Sequence, residues 1–326
     1  MRNVFAFLFG CLASLNALPG NAGVLIPVPP IPGSYFTLAF DINDDNIVAG
    51  FFVDASSGKA HAFYESLDGN YTVFDDSSGL AMPQTINNDG IISGQTVVTD
   101  QGLCDVIPFE RGLDGTIVHI KKGKKPFTGV AAGLNNKGEF VGYYCDKNGG
   151  VSSYYGKLGK YKAPLTVAGL PLATVATGIN NTGIVAGYFS NTPGQSSGFL
   201  LHNGITTVVT YPGANATALT DINDHGLAAG TATDAQSQTR AFVFDTKNQT
   251  FQDLDVFGGV QTSGMNNEGL LIVNMPSSLQ SFVFCMRSKK KCPSTGTEVS
   301  TNHALPAPAP SAAVLRSGLL PRFLEH

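Results

Sequence analysis

Gly178-Ile-Asn-Asn-Thr-Gly183-Ile-Val-Ala-Gly187 is one of six copies of a single pattern in this chain. The first asparagine of the pattern recurs at residues 43, 87, 135, 180, 223 and 266, in steps of 44, 48, 45, 43 and 43 residues. A constant period of about 40–45 residues is typical of the four-stranded blade of a β-propeller. The spacing therefore predicts six structural units in one domain.

The core of the pattern has the chemistry of a tight turn. An asparagine at the first position accepts backbone N–H groups, two variable residues follow, and a glycine takes the left-handed conformation that closes a hairpin. In the first copy Asn46 replaces that glycine, and asparagine is one of the residues that adopt a positive φ most readily. We interpret the six asparagines as structural turn residues, namely Asn43, Asn87, Asn135, Asn180, Asn223 and Asn266.

A second glycine follows four residues after the first, and an aromatic strand follows further downstream. The second glycines are Gly50, Gly94, Gly142, Gly187 and Gly230, with Val273 in the last copy. A glycine within a strand marks a bulge or the close approach of another backbone, and we expect the inner strands of neighbouring units to provide that approach. The aromatic strands are centred on Phe63, Phe109, Tyr154, Phe199, Phe242 and Phe282 and are expected to fill the space between units.

A short last strand, such as Tyr71–Phe74 or Thr250–Asp253, ends the units. The sixth copy lacks one, but Val24–Val28 precedes the first copy at the equivalent distance. The sequence thus predicts an all-β fold, a six-bladed β-propeller of four-stranded antiparallel blades over residues 23–286. Its N-terminal strand closes the last blade and so removes an exposed edge.

Composition agrees with strands and turns. Of 326 residues, 43% are hydrophobic, 13% are charged and 38 are glycine, a balance that suits short strands joined by tight turns. The net charge of -4 provides no field that favours nucleic acid, so we predict no nucleic-acid partner.

The N-terminus has the features of a secretory signal: a basic start, an apolar run from Val4 to Leu15, and small residues before Ala22. We predict a signal peptide over residues 1–22, cleaved after Ala22, with Ala17 as the alternative. No other segment approaches the ~20 apolar residues of a membrane helix. The mature chain is predicted to be a secreted monomer, extracellular or periplasmic, with a flexible tail over residues 287–326 that is first basic and then rich in proline and alanine.

Four cysteines remain after the signal: Cys104, Cys145, Cys285 and Cys292. An even number in an exported chain predicts two disulfides. Cys285 and Cys292 are candidates for a small local loop, and Cys104 and Cys145 come from adjacent copies, but the pairing is left open.

The Ile-Asn-x-x-Gly-x-x-x-Gly unit followed by an aromatic strand resembles the HAF-type extracellular repeat family of bacteria, and the first copy reads His61-Ala62-Phe63. The resemblance covers residues 24–286. It implies a secreted, repeat-built protein and adds almost no chemistry. The tail departs from the Pro-Glu-Pro sorting signal that some such proteins carry.

Several short motifs resemble metal-binding or catalytic sites, and each also has a purely structural explanation. Asp41, Asn43 and Asp45 resemble the start of a calcium loop, but the pattern fails in later copies and lacks the final glutamate, so we predict no metal and keep a single calcium ion here as a minor alternative. Ser196 lies in a Gly-x-Ser-x-Gly motif without the helix that a nucleophile elbow requires. Histidines 61, 119, 202 and 225 lie in different copies without metal-binding spacing. The basic clusters at residues 121–125 and 289–291 are expected to be solvated.

Two functions remain open. The first is an extracellular binding or structural module that presents the residues that differ between copies to an unknown protein or glycan; the candidate ligand-binding residues are Asp44, Asp45, Asp89, Lys137, Asp224, His225 and Glu268. The alternative is a secreted glycan-active hydrolase or lyase with its site in the central funnel, for which the candidates are Asp41, Asp221, Asp45, Asp89, His225 and Glu268. Acidic or histidine side chains from three blades converging in the funnel would favour the enzyme, and the sequence favours the binding module.

Overall fold

The computed structural model describes residues 23–98, 106–145, 150–167, 173–192, 194–254, 260–275, 279–286 and 292. The predicted signal peptide, Cys104, the second basic cluster and the tail other than Cys292 lie outside these ranges. The described residues form strands and turns and no helix. Among them, nothing forms a helix long and apolar enough to cross a bilayer.

The strands, in chain order, are β1 (Val24–Pro27), β2 (Ser34–Ile42), β3 (Ile47–Asp54), β4 (Ala60–Ser66), β5 (Tyr71–Phe74), β6 (Leu80–Ile86), β7 (Ile92–Val97), β8 (Val106–Arg111), β9 (Ile117–His119), β10 (Lys121–Lys122), β11 (Lys125–Pro126), β12 (Val130–Leu134), β13 (Glu139–Cys145), β14 (Val151–Lys157), β15 (Lys160–Pro164), β16 (Thr174–Ile179), β17 (Val185–Thr192), β18 (Gln195–His202), β19 (Ile205–Val209), β20 (Ala216–Ile222), β21 (Leu227–Thr233), β22 (Thr239–Asp245), β23 (Thr250–Asp253), β24 (Gln261–Met265), β25 (Leu270–Met275) and β26 (Gln280–Cys285).

Within each repeat, successive strands pair antiparallel, as in β2-β3-β4-β5 and β20-β21-β22-β23. In the last repeat β24, β25 and β26 pair in order, and β1 from the other end of the described chain pairs antiparallel with β26, with Val24 opposite Cys285 and Pro27 opposite Phe282. Single parallel bridges, Thr37 with Gln280 and Ser196 with Ala216, connect neighbouring repeats. The first basic cluster is exposed as expected, but it forms the β10-β11 hairpin.

The core is divided into clusters that form mainly between successive repeats. Ala49 and Ala62 of the first repeat pack with Ile92 and Phe109 of the second. The central aromatic side chains of the five first repeats, Phe63, Phe109, Tyr154, Phe199 and Phe242, are fully buried. Burial of such rings contributes about 1.5–3 kcal/mol each, so contacts between repeats stabilise the array.

The second position of the pattern requires glycine for a different steric reason from the expected one. The innermost strand of each repeat contains a β-bulge, for example between Ala39 and Asp41, and the bulged strand presses on its own partner strand. A Cβ atom on Gly50 would overlap with the carbonyl oxygen of Leu38, within the same repeat rather than in a neighbouring one. In the last repeat Val273 replaces the glycine, and the irregularity there is wider, from Thr262 to Met265.

A disulfide joins Cys285 and Cys292, one of the two pairings considered above. Cys145 is also disulfide-bonded, and its candidate partner Cys104 lies outside the described residues. Disulfides are typical of proteins that fold in an oxidising compartment.

Glu65 on β4 is a buried acid: it is 1% exposed, and among the described residues its Oε1 has no hydrogen-bond partner. Burial raises the pKa of Glu65 to about 8 from an ordinary 4.5. The folded state therefore keeps this proton where the unfolded chain loses it, and stability falls as pH rises from about 4.5 to about 8. We expect Glu65→Gln to raise the free energy of unfolding at pH 8 by at least about 1.4 kcal/mol, the equivalent of one pKa unit, and to leave it unchanged at pH 4. Urea unfolding at both pH values measures this difference, and equal gains at pH 4 and pH 8 would contradict it.

Candidate functional site

The six turns that follow the innermost strands meet in a closed ring of hydrogen bonds. Each turn asparagine donates its side-chain N–H to the backbone carbonyl of the turn asparagine in the next repeat. The pairs are Asn43 to Asn87 (3.2 Å), Asn87 to Asn135 (3.1 Å), Asn135 to Asn180 (3.0 Å), Asn180 to Asn223 (3.0 Å), Asn223 to Asn266 (3.1 Å) and Asn266 to Asn43 (3.0 Å). The last bond joins the final repeat to the first, so the ring closes on itself.

The same asparagines also hold their own turns. The Asn180 Oδ1 accepts the backbone N–H groups of Thr182 (3.1 Å) and Ile184 (2.9 Å). Gly183 adopts a φ of 82°, and Asn46 adopts 60° at the equivalent position of the first repeat, values in the left-handed region that favour glycine and asparagine. The six asparagines are 3–4% exposed. Their oxygens and nitrogens are therefore occupied by structure and are closed to a ligand.

A second ring lies beside the first and is made by the next residue of each turn. That residue is Asp or Asn in all six repeats, namely Asp44, Asn88, Asn136, Asn181, Asp224 and Asn267. Each backbone N–H donates to the side-chain Oδ1 of the equivalent residue in the following repeat at 2.7–2.9 Å, and Asn267 donates back to Asp44. Asn88, Asn181 and Asn267 were not among the residues expected at the site, although all six copies share an Asp or Asn side chain at this position.

The two carboxylates of this second ring are surrounded by amides. Asp44 Oδ2 accepts the side-chain N–H groups of Asn88 (2.6 Å) and Asn267 (2.8 Å). Asp224 Oδ2 accepts those of Asn181 (2.7 Å) and Asn267 (3.1 Å). Charge-assisted hydrogen bonds of this kind are about twice as strong as neutral ones, so amide donors stabilise both charges.

Two further carboxyl groups lie one layer deeper. Asp41 accepts the backbone N–H groups of Ile42 and, from the second repeat, Ile86, both at 2.8 Å; Asp221 accepts that of Met265 in the sixth repeat at 2.8 Å. The Asp41 carboxyl occupies space that a side chain on Gly264 would need. Glycine at residue 264 therefore leaves room for this acid.

Burial raises the pKa of Asp41 to about 7. Burial, followed by the charge of Asp41, raises the pKa of Asp221 well above its ordinary value. A negative charge on Asp41 therefore disfavours ionisation of Asp221, because like charges repel.

The rings enclose a polar cavity of about 60 Å³. It is lined by the turn residues and by Asp41 and Asp221. This volume holds a few water molecules and is far smaller than the ~300 Å³ at the lower end of drug-sized ligand pockets.

The third residue of each turn is exposed: Asp45, Asp89, Lys137, Thr182, His225 and Glu268. Five of the predicted ligand-binding residues thus lie on one exposed rim, while Asp44 and Asp224 are half-buried in the second ring. The enzyme candidates are separated, because Asp41 and Asp221 are in the deep layer and the others are on the rim. Among the described residues that line the cavity, carboxylates come from the first and fifth repeats only.

The remaining motifs do not join this site. Ser196 donates its hydroxyl to the Thr217 carbonyl (3.2 Å) at the start of β18. Asp41 and Asn43 use their oxygens on backbone N–H groups and Asp45 is exposed. Within the described ranges no group of three His, Cys, Asp or Glu residues is placed to hold a metal; the absence of a metal, with a single calcium ion at the first turn as the minor alternative, stays a prediction.

Comparisons with known proteins relate the chain by fold only. No family model matches the sequence, and no curated protein matches it. TolB from Acinetobacter baumannii is similar in structure, with a TM-score of 0.52 and 16% identity, covering 74% of this chain and 64% of TolB. The chain thus spans about two thirds of that protein.

Two further structures are more distant. The β-propeller domain of the Trilobed protease from Pyrococcus furiosus has a TM-score of 0.46 and 10% identity, covering 74% of this chain and 80% of that one. Virginiamycin B lyase from Staphylococcus aureus has a TM-score of 0.45 and 10% identity, covering 81% and 99%. At such identities a likeness shows fold and carries no activity. The chain has an all-β fold of the β-propeller type.

Proposed function

We propose that this protein is a secreted β-propeller of six four-stranded blades, closed by β1, that acts as an extracellular or periplasmic binding module. The antiparallel pairing within each repeat, the β1-β26 pair and the closed asparagine ring support the six-bladed arrangement. The Cys285–Cys292 disulfide supports export. The resemblance to HAF-type repeats also suggests a location outside the cytoplasm.

The rim of exposed third turn residues is the proposed binding surface, and the observation that carries it is the double ring beneath it. Both rings hold the backbone of all six turns in one geometry, while the rim side chains differ from repeat to repeat. Such a frame presents varied side chains on a backbone that is already ordered, which lowers the entropy cost of binding. This is the arrangement that suits recognition.

Charge indicates the kind of partner. The second and third turn positions together carry five carboxylates, Asp44, Asp45, Asp89, Asp224 and Glu268, against the single cation Lys137. A surface of one sign attracts a partner of the other sign and speeds its association. We therefore infer a partner with a positively charged patch, a basic protein surface rather than a neutral glycan at this rim.

The alternative, a glycan-active hydrolase or lyase, draws support from the raised pKa of Asp41, which suits a general acid. The cavity beside that carboxyl, about 60 Å³, admits water and no sugar ring. The binding module is the better match to the geometry.

The test compares two pairs of substitutions with the same change in charge. Asp45→Asn with Asp89→Asn neutralises the rim, and Asp54→Asn with Asp234→Asn neutralises two acids at the opposite ends of the strands. Against protein and glycan arrays, we expect the mature chain to bind a basic protein ligand. The rim pair should weaken that binding at least tenfold, and the control pair should leave it unchanged. Binding by the unsubstituted chain should weaken strongly as the salt concentration rises. Equal effects of the two pairs, or no reproducible ligand, would refute the proposal.

A further inference from the structure

A second cavity, of about 270 Å³, lies away from the turn rings, between the fourth and fifth repeats. It forms where the start of β18 runs alongside the segment before β20, and the backbone N–H of Ser196 donates to the carbonyl of Asn215 at 3.3 Å. Phe189 and Ala214 are the apolar part of the lining, and Phe189 is 5% exposed. The polar part of the lining is Gln195, Ser196, Ser197, Thr210 and Asn215.

The first repeat differs at the equivalent position. There Phe52 lies opposite His61 across β3 and β4, as Phe189 lies opposite Ser197 across β17 and β18. The imidazole of His61 covers Phe52 with ring centroids 5.5 Å apart, and Asp75 holds its Nδ1 at 2.9 Å. The sequence of the fourth repeat has no equivalent of this histidine–aspartate pair.

Register identifies what replaces that pair. Ala62 lies opposite Phe74 in the first repeat and Gly198 lies opposite Val209 in the fourth, so Thr210 is the equivalent of Asp75. The fourth repeat keeps the aromatic ring and replaces both side chains that would cover it with small hydroxyl residues, whose oxygens lie 3.3 Å apart. Both hydroxyl residues line the cavity, and Phe189 (5% exposed) is as buried as Phe52 (6%).

The lining defines the chemistry of a ligand. Around the phenyl ring of Phe189 are three hydroxyl groups, from Ser196, Ser197 and Thr210, and two exposed carboxamides, from Gln195 and Asn215. Hydroxyls and amides both donate and accept hydrogen bonds. The described residues of the lining include no charged side chain, so they offer nothing to compensate a desolvated charge.

We propose that this cavity binds one neutral sugar residue, whose hydroxyl groups bond to the surrounding hydroxyls and amides and whose apolar side lies toward Phe189 and Ala214. At about 270 Å³ the volume lies just below the ~300 Å³ lower end of drug-sized ligand pockets, so it suits one ring rather than a chain. The site is independent of the rim and of the partner inferred for it.

The test titrates the mature protein with a panel of methyl glycosides of neutral hexoses and N-acetylhexosamines, by saturation-transfer NMR and calorimetry. We expect at least one glycoside to bind. The double substitution Ser197→His with Thr210→Asp installs the pair of the first repeat and should abolish binding while keeping the fold, because the same pair is accommodated on the same framework around Phe52. Asn215→Ala should weaken binding about tenfold.

Gln238→Ala is the matched control, because Gln238 precedes β22 as Gln195 begins β18 and lies outside the cavity; it should leave affinity unchanged. No bound glycoside, or unchanged binding in both the double variant and Asn215→Ala, would overturn the proposal. If the double variant fails to fold, the proposal is tested by comparing the glycoside affinities of Asn215→Ala and Gln238→Ala. Substituting Asp45 and Asp89 on the rim should not affect glycoside binding, so failure of either proposal is recognised separately.

Discussion

Replacing Gly142 by alanine is expected to cost at least about 3 kcal/mol of folding stability, the upper part of the usual range for overpacking. A Cβ atom at this position would overlap with the carbonyl oxygen of Val130 and come within 3.0 Å of the Tyr154 ring. The obstacle is backbone at a bulge that pairs Val130 with Tyr143 and Ala131 with Gly142. Neither rotamer changes nor small side-chain shifts relieve it.

Gly123→Ala is the control for this substitution. Gly123 has a φ of 66° and no atom within 4 Å of an added Cβ. Alanine there therefore costs only the energy of placing a residue with a Cβ in the left-handed conformation, about 1–2 kcal/mol. Urea unfolding of the two variants separates backbone overlap from the general cost of losing a glycine. A loss in Gly142→Ala no larger than in Gly123→Ala would show that the bulge does not require glycine.

Asn180→Ala is expected to destabilise the protein by about 3 kcal/mol. It removes one donated bond, to the Asn223 carbonyl, and three accepted bonds, from the Thr182 backbone N–H, the Thr182 hydroxyl and the Ile184 backbone N–H. Buried groups left without a partner cost about 1–3 kcal/mol each, partly offset by local relaxation and entry of water. The substitution therefore removes hydrogen bonds both within the Asn180 turn and to the turn of the next repeat.

Asn248→Ala measures the cost of removing an exposed asparagine, whose side chain bonds to Asp245 at the surface. Substitutions of this kind stay within about 0.5 kcal/mol. Thermal and urea unfolding of both variants compare the two environments. Similar losses would mean that the asparagine ring does not stabilise the fold.

The fold was largely readable from sequence because its signals are local and repeated. Asn180 and Gly183 encode a turn by their own side-chain and backbone preferences, and six copies make chance an untenable explanation. The partner of Val24–Pro27 followed from counting, since one repeat lacked a strand and the other end of the chain supplied one. By contrast, β15 and the β10-β11 hairpin carry lysine and proline in place of apolar alternation, and sequence analysis did not assign them as strands.

The site was harder to predict because its contacts join distant parts of the chain. Asp44 and Asn267 are 223 positions apart and bond directly, which no local pattern reveals. Asp41 and Asp221 were candidate catalytic acids of the funnel, but their carboxyls accept N–H groups of the neighbouring repeat, and Asp41 is buried and Asp221 half-buried. The cavity beside Phe189 has small side chains where the first repeat has His61 and Asp75. That difference is recognised only when the repeats are aligned by strand register.

The central claim is that six repeats close into one ring whose turns form a single face. The most direct test is the distance between the Asn266 side-chain nitrogen and the Asn43 carbonyl oxygen in a crystal structure of the mature protein. We expect a hydrogen bond of about 3.0 Å, with β1 paired to β26 beside it. A ring open between the first and last repeats, with these two atoms far apart, would contradict the account.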